Sequence, residues 1–118
     1  MKPFLHARGS VRRFGGVSQD YISIHDFIDS SKSNMPDMRH RVLLHSSFGI
    51  YIVEKVFGHT IINSDGKEIS TRDIAEKHVI EDMGTIPTVQ DYLKHMPMLD
   101  WLGGPKHNRK VVMELEVD

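Results

Sequence analysis

The chain has 118 residues, enough for one domain but too few for two independently stable cores. Its 15 basic and 16 acidic residues give a formal net charge of -1, which argues against nucleic acid as the main partner. It has no cysteine, which excludes disulfide scaffolds, cysteine-ligated zinc and thiol catalysis. Histidine, by contrast, is frequent, at eight residues.

No apolar segment has the character of a targeting or membrane-spanning sequence. The N-terminus lacks the run of about seven or more apolar residues that a secretory signal needs. The most apolar stretch, residues 42–53, is shorter than the roughly 20 residues of a bilayer crossing. We therefore expect no membrane association and a cytoplasmic location.

The spacing of apolar residues in the first half of the chain predicts three helices. The first covers about residues 4–14. The second covers about residues 19–31, with His25 on its apolar face and Asp29 one turn later. The third, residues 37–57, is the longest and most apolar, and we expect it to be central to the core.

One apolar stripe of this third helix contains a histidine. The stripe consists of Met38, Val42, His45, Gly49, Ile52 and Val56. Burying an imidazole without a partner costs roughly 1 to 3 kcal/mol, so His45 needs a compensating contact. Gly49 costs roughly 1 kcal/mol relative to alanine in mid-helix, which predicts a close approach of another group there.

The second half of the chain predicts a hairpin followed by two further helices. Residues 60–69 are β-favouring on both sides of a turn sequence. A helix over residues 72–83 carries His78 and Asp82 on its inward face, and a last helix covers about residues 89–95.

Together these elements predict a mainly α fold, a compact four- to five-helix domain with one short β-hairpin. Residues 1–105 are expected to form this single domain, with Trp101 and Leu102 folding back onto the core. Residues 106–118 are expected to be a C-terminal tail, either an edge strand or disordered.

Several short segments occur in an order that resembles a known family. They are His6, residues 21–32 (YISIHDFIDSSK), residues 39–41 (RHR), His45, residues 56–58 (VFG), residues 60–66 (TIINSDG), residues 72–74 (RDI), residues 78–79 (HV), residues 81–82 (ED) and residues 86–88 (IPT). Residues 6 to 102 thereby resemble a small family of uncharacterised proteins from bacteria and bacteriophages, a domain of unknown function. The resemblance implies a cytoplasmic setting, that of the host if the protein is phage-encoded, and it implies no activity.

Three histidines on the apolar faces of separate helices form the main candidate site, a metal site. His25, His45 and His78 are joined by Asp29 and Asp82, each one turn from a histidine. Imidazoles and carboxylates from several helices suit Zn²⁺, Fe²⁺ or Mn²⁺. In the alternative interpretation, each histidine is a structural core residue that a carboxylate or a backbone carbonyl satisfies.

Two other metal patterns are weaker. His6, the His25-Asp26 pair and Asp82 resemble the ligand order of HD-type phosphohydrolases, helical enzymes that use metal-activated water on phosphate esters. Asp26, however, is predicted to lean away from the apolar face. The spacing Asp37-x-x-His40 is typical of di-iron bundles, but those need a second copy of the motif.

A candidate anion site consists of Arg39, Arg41 and Arg72, although Arg41 also lies one turn from Asp37 and can pair with it. Residues 63–66 have turn chemistry, and a calcium loop is excluded because its first and twelfth positions are not acidic.

Two functions of different classes follow. One is a metal-binding hydrolase acting on a phosphate or nucleotide-like substrate. The other is a non-enzymatic, phage-encoded interaction protein that binds a host protein, with structural histidines. The candidate partners are thus a host protein, a small phosphate-containing ligand or a second copy of the chain.

Overall fold

The structure, a computed structural model, describes residues 1–104. Within this range the helices are α1 (Pro3–Phe14), α2 (Ile22–Ile28), α3 (Arg41–Leu44), α4 (Ser47–Phe57), α5 (Thr71–Met83) and α6 (Val89–Leu93). Strands β1 (Thr60–Ile62) and β2 (Glu68–Ser70) form an antiparallel pair. The mainly α fold with one hairpin is confirmed. The expected tail, residues 106–118, lies outside the described residues.

The core forms where α1, α2, α4 and α5 pack against one another. Its apolar side chains are Ala7, Tyr21, Ile24, Ile28, Ile50, Val53, Ile69, Ile74, Ala75 and Val79. Buried polar residues are interleaved with them, and five of these are histidines: His6, His25, His40, His45 and His78. The polar groups of the core therefore have to satisfy one another, because water does not reach them.

The predicted helix over residues 37–57 is wrong in one respect, since the chain breaks in its middle. A 3₁₀ turn over Met38–His40 leads into the short α3, which ends at Leu44, and α4 starts after Ser46, whose backbone is extended. The Ser46 side chain accepts a hydrogen bond from the amide of Gly49, so it caps α4. Serine side chains compete for backbone hydrogen bonds, and this capping favours a new helix start over a continuous helix.

The break also changes which side chains enter the core. Met38 and Val56 of the predicted stripe are exposed, Val42 is half-buried, and Ile50 and Val53 are buried instead. The close approach expected at Gly49 is present, since a Cβ atom there would overlap the carbonyl of Leu44. With thirteen residues, α5 is longer than any fragment of the predicted third helix.

Side-chain hydrogen bonds hold the hairpin turn against the end of α1 and the segment that joins α1 to α2. Asp20 accepts from the amide of Ser64 at 3.0 Å and from its hydroxyl at 2.7 Å. Asn63 donates to the carbonyl of Phe14 at 3.2 Å. Ser70 then caps α5 by accepting from the amide of Asp73. These contacts orient α5, which carries two of the candidate site residues.

The C-terminal end of the described region departs from expectation. Thr88 caps α6 in a capping box with Asp91, yet α6 ends at Leu93, earlier than predicted. Trp101 is 69% exposed, so the expected anchoring of this residue on the core is wrong. Among residues 1–104, no helix combines the length and the apolar composition that a bilayer crossing requires.

We expect Val53→Asp to unfold the domain, because Val53 is fully buried and an unpaired core charge costs several kcal/mol. Val42→Asp is the matched control: the same change at a half-buried position should cost much less. Urea denaturation followed by circular dichroism measures both. Equal losses in the two variants would contradict the break between α3 and α4.

Candidate metal centre

Four metal-binding side chains converge where α2, α5 and the α3–α4 junction meet. Asp29 follows the last residue of α2, His45 lies in the junction, and His78 and Asp82 are one turn apart on α5. One ligand atom from each lies within 4.8 Å of the others. All four side chains are at most 5% exposed. The helix break is what places His45 here, since it frees the chain to turn toward α5.

The nitrogens and carboxylate oxygens point at one another across short distances. His45 Nε2 lies 3.0 Å from Asp82 Oδ2 and 3.3 Å from Asp29 Oδ1. His78 Nε2 lies 3.3 Å and 3.4 Å from the same two oxygens. Ligands of a single ion bound at about 2.0 to 2.2 Å have mutual separations of this size.

Hydrogen bonds within the described part of the chain leave this cluster incomplete. Of these contacts, His45 to Asp82 has hydrogen-bond geometry. Both oxygens of Asp29 and Nε2 of His78 are buried there without a hydrogen-bond partner. Such orphaned polar atoms are costly, and they are rare in native cores unless water or an ion satisfies them.

The cluster keeps its carboxylates charged. Burial disfavours the charged form of Asp29, but the imidazoles of His45 and His78 outweigh it and lower the pKa of Asp29. Burial likewise opposes ionisation of Asp82, and the contacts to His45 and His6 lower its pKa well below the usual range. Burial disfavours protonated His45, yet the two carboxylates raise its pKa. Both carboxylates are thus ionised, which is the form that binds a metal ion, and the N-terminal ammonium of Met1, Lys32 and Arg41 offset part of their charge.

A hydrogen-bonded chain lies behind His78. Its Nδ1 is 2.8 Å from Nδ1 of His25, and Nε2 of His25 is 2.8 Å from the hydroxyl of Ser10. Burial, with charge repulsion from His78 and His6, lowers the pKa of His25 to about 3, so this ring is neutral. When Nε2 of His25 donates to Ser10, Nδ1 of His25 accepts a hydrogen bond from the Nδ1–H of His78, and Nε2 of neutral His78 carries the lone pair. In the opposite tautomers, Nε2 of His78 carries the proton and faces the carboxylates. Ligating histidines are oriented by partners of this kind.

His6 stacks on the ring of His78. The two ring centroids are 3.7 Å apart, and the angle between the ring planes is 19°. Nδ1 of His6 is 3.0 Å from Glu81 and its Nε2 is 3.1 Å from Oδ1 of Asp82. Nitrogens of His6, His25 and His78 also lie close together. A histidine ligand holds its ion in the ring plane, and two stacked parallel rings cannot aim at one ion. His6 therefore serves to hold Asp82 rather than to complete a second metal site.

The structure separates the predicted site residues into two groups. It brings Asp29, His45, His78 and Asp82 together, and it places His25 behind His78. Asp26 is exposed, so the HD-type ligand order lacks its aspartate at the cluster. Asp37 caps the turn Met38–His40 and pairs with Arg39 on the surface, away from any di-iron arrangement.

The three arginines of the candidate anion site do not come together. Arg39 is exposed and pairs with Asp37, the partner expected for Arg41. Arg41 instead faces Asp82, with NH2 3.9 Å from Oδ1. Arg72 pairs with Glu76 near the start of α5, about 15 Å along the helix from Asp82.

Sequence reasoning missed His40 as a neighbour of this cluster. His40 is 3% exposed, and its Nε2 lies 3.9 Å from Oδ1 of Asp29. Helical periodicity gave no signal for it, because His40 ends a 3₁₀ turn rather than lying on an α-helical face.

We expect the His25 ring of the metal-free protein to stay neutral well below pH 6.5, its ordinary pKa, and to titrate at about 3. Between these values the unfolded chain binds a proton that the folded chain does not, so the free energy of unfolding falls as the pH falls. Histidine ¹⁵N NMR in chelator measures the titration, and His25→Asn should flatten the stability slope. Titration of His25 near pH 6.5 would contradict the buried chain.

Comparison with known proteins gives a family but no activity. No curated protein and no solved structure matches the chain. Residues 1–102 match a family described as a domain of unknown function, DUF6915. This supports the resemblance to an uncharacterised domain, while the bacterial or phage setting stays a prediction. Because the match covers most of its length, the chain belongs to the DUF6915 family.

Proposed function

We propose that the protein binds one divalent transition-metal ion through Asp29, His45, His78 and Asp82. The observation that carries this proposal is the set of buried ligand atoms that have ion-pair contacts but no hydrogen bond, namely both oxygens of Asp29 and Nε2 of His78. A cation placed among them removes the cost of burying them unpaired. The chain from Ser10 through His25 to His78 is compatible with the same conclusion, because the tautomer in which His25 donates to Ser10 leaves a lone pair on Nε2 of His78.

The donor set favours particular ions. Two imidazole nitrogens and two carboxylates suit Zn²⁺, Fe²⁺ or Mn²⁺, and the absence of cysteine disfavours sites selective for soft ions. Calcium prefers six to eight oxygen ligands, which the cluster does not supply.

The reaction that fits this ion best is hydrolysis of a phosphate or nucleotide-like substrate. A divalent ion held by such ligands lowers the pKa of bound water and polarises a phosphoryl oxygen. Arg41 supports this assignment, because its side chain is 20% exposed and its NH2 lies 3.9 Å from Asp82, so it can hold an anion beside the ion. A surface cavity of about 280 Å³ is lined by Met35, Arg39, His40, Val42 and Leu43, and His40 also lies 3.9 Å from Asp29.

Metal analysis of protein purified without a histidine tag tests the binding step. We expect about one ion per chain and a melting temperature that falls when a chelator removes it. Asp29→Asn keeps the side-chain shape but removes the charge, so it should abolish binding. His59→Ala is the control, since His59 is exposed and contacts Glu54 outside the cluster. A wild-type chain that takes up none of the three ions would contradict the proposal.

Phosphate-ester and nucleotide hydrolysis by the metal-loaded protein tests the reaction. We expect Arg41→Ala to raise KM for an anionic substrate and to leave the metal content unchanged, because Arg41 offers no metal ligand. Arg72→Ala is its control, about 15 Å away along α5. If the fully metal-loaded protein hydrolyses no phosphate ester, the proposed hydrolase activity is wrong, while the proposed metal site is unaffected.

A second candidate is a non-enzymatic protein that binds a host protein through its surface. It is favoured by exposed apolar side chains at the end of α6 and after it: Leu93, Met96, Met98, Leu99, Trp101 and Leu102. In that case the histidines form only a polar core. The metal measurement separates the two functions, since the interaction protein remains metal-free and its melting temperature does not respond to a chelator.

A further inference from the structure

Ser10, His25 and His78 form a fully buried hydrogen-bonded chain that ends at the metal cluster. All three residues are 0% exposed. Ser10 Oγ lies 2.8 Å from Nε2 of His25, and Nδ1 of His25 lies 2.8 Å from Nδ1 of His78. Among residues 1–104, the hydroxyl of Ser10 makes no other hydrogen bond. Each bond of this chain therefore needs a donor on one side and an acceptor on the other, supplied by these three side chains.

Two arrangements of the protons satisfy both hydrogen bonds when each ring holds one proton. In the first, Ser10 donates to Nε2 of His25, Nδ1–H of His25 donates to Nδ1 of His78, and Nε2–H of His78 faces the carboxylates. In the second, His78 donates to His25, His25 donates to Ser10, and Nε2 of His78 carries a lone pair. The two rings hold two protons in both arrangements, so the arrangements differ in tautomer and not in charge.

The metal-free protein favours the first arrangement. Nε2 of His78 lies 3.3 Å from Asp82 and 3.4 Å from Asp29, where the ionised carboxylates attract an N–H and repel a lone pair. The second arrangement also leaves the hydroxyl proton of Ser10 without an acceptor among residues 1–104, and an unpaired buried donor is costly. Burial lowers the pKa of His25 to about 3, so its ring holds one proton in either case.

An ion at Nε2 of His78 requires the second arrangement, because a ligating histidine must offer a lone pair. The Nε2 proton of His78 then leaves to solvent, and the proton between the two Nδ1 atoms moves from His25 to His78. Nε2 of His25 takes up one proton in exchange, so two protons remain on the two rings. The hydroxyl of Ser10 changes from donor to acceptor.

We propose that Ser10 is a positioning residue of the metal site, one that opposes metal binding by holding His25 and His78 in the tautomers of the first arrangement. The inference rests on the proposed metal site and adds to it a means by which the affinity is set. Metal uptake reverses the direction of the whole chain, and occupation of the cluster is thereby transmitted to Ser10 on α1. A residue that only oriented the ligand would have the opposite effect and would strengthen binding.

Nitrogen-15 NMR of the full wild-type chain tests the reversal, because the ¹⁵N shift of a ring nitrogen shows whether it carries a proton. In chelator, we expect the proton of His25 on Nδ1 and that of His78 on Nε2. With one equivalent of Zn²⁺, we expect the proton of His25 on Nε2 and that of His78 on Nδ1. His59, which is exposed and lies outside the cluster, is the control and should keep its spectrum.

Two results of this measurement separate the inference from the proposed function. If Zn²⁺ binds while His25 keeps its proton on the same nitrogen, the inference is wrong and the metal site stands. If the wild-type chain takes up none of Zn²⁺, Fe²⁺ and Mn²⁺, the proposed metal site is wrong and the inference with it.

The Zn²⁺ affinity of Ser10→Ala, measured by competition with a chelating dye, tests the direction of the effect. In the wild type only the metal-bound arrangement leaves a buried polar group of the chain unpaired, whereas in this variant Nε2 of His25 is unpaired in both. We therefore expect Ser10→Ala to bind Zn²⁺ at least as tightly as the wild type, and up to about tenfold more tightly.

Thr71→Val is the matched control for this variant, since it removes an equally buried hydroxyl at the start of α5, outside the chain. It should keep the wild-type affinity for Zn²⁺. Weaker Zn²⁺ binding by Ser10→Ala than by the wild type would overturn the inference. If Ser10→Ala does not fold, the NMR measurement on the wild type decides the question, because it needs no variant.

Discussion

Two ionised carboxylates lie side by side in the centre of this domain, and the rest of the structure is arranged around them. Asp29 and Asp82 are both at most 5% exposed, and burial alone would raise their pKa values. Four buried histidines lie within 4 Å of the pair, and His25 lies behind one of them. The N-terminal ammonium, Lys32 and Arg41 also approach the two carboxylates. Since breaking a buried ionic cluster costs several kcal/mol, α1, α2, α5 and the α3–α4 junction are held together through this centre as well as through apolar packing.

The balance between polar and apolar burial is unusual for so small a domain. Within residues 1–104, buried polar residues are about as numerous as buried apolar ones. A short chain buries little apolar area. The free-energy cost of polar groups left without hydrogen bonds at the centre is therefore large relative to the free energy of unfolding. A cation bound at this centre would remove that cost and would stabilise the packing of α2, α5 and the α3–α4 junction against one another.

Helical periodicity was sufficient to predict the direction of those site residues that lie on or beside regular helices. His78 and Asp82 are one turn apart on α5, and Asp29 follows α2, so their common direction could be predicted from spacing. His45 was placed inward for the wrong reason. It faces the cluster because the chain breaks there, and the apolar pattern continues through the break without a signal.

Other parts of the site could not be predicted, because they depend on contacts between distant segments. Spacing places His25 on an inward face but does not show that His78 lies between it and the carboxylates. His40 ends a 3₁₀ turn that has no helical period. Spacing also does not show that Arg41 of α3 faces Asp82 near the end of α5, while Arg72 lies near the start of α5. These distinctions arise from tertiary packing.

The most direct test of the account is X-ray absorption at the edge of the bound metal in the untagged, metal-loaded wild-type protein. The account predicts a first shell of nitrogen and oxygen only, at about 2.0 to 2.2 Å, with the outer-shell scattering of two or more imidazoles. It also predicts that Asp29→Asn removes the signal. A spectrum of the hydrated ion without imidazole scattering would contradict it, because the ion would then lie outside the cluster of Asp29, His45, His78 and Asp82.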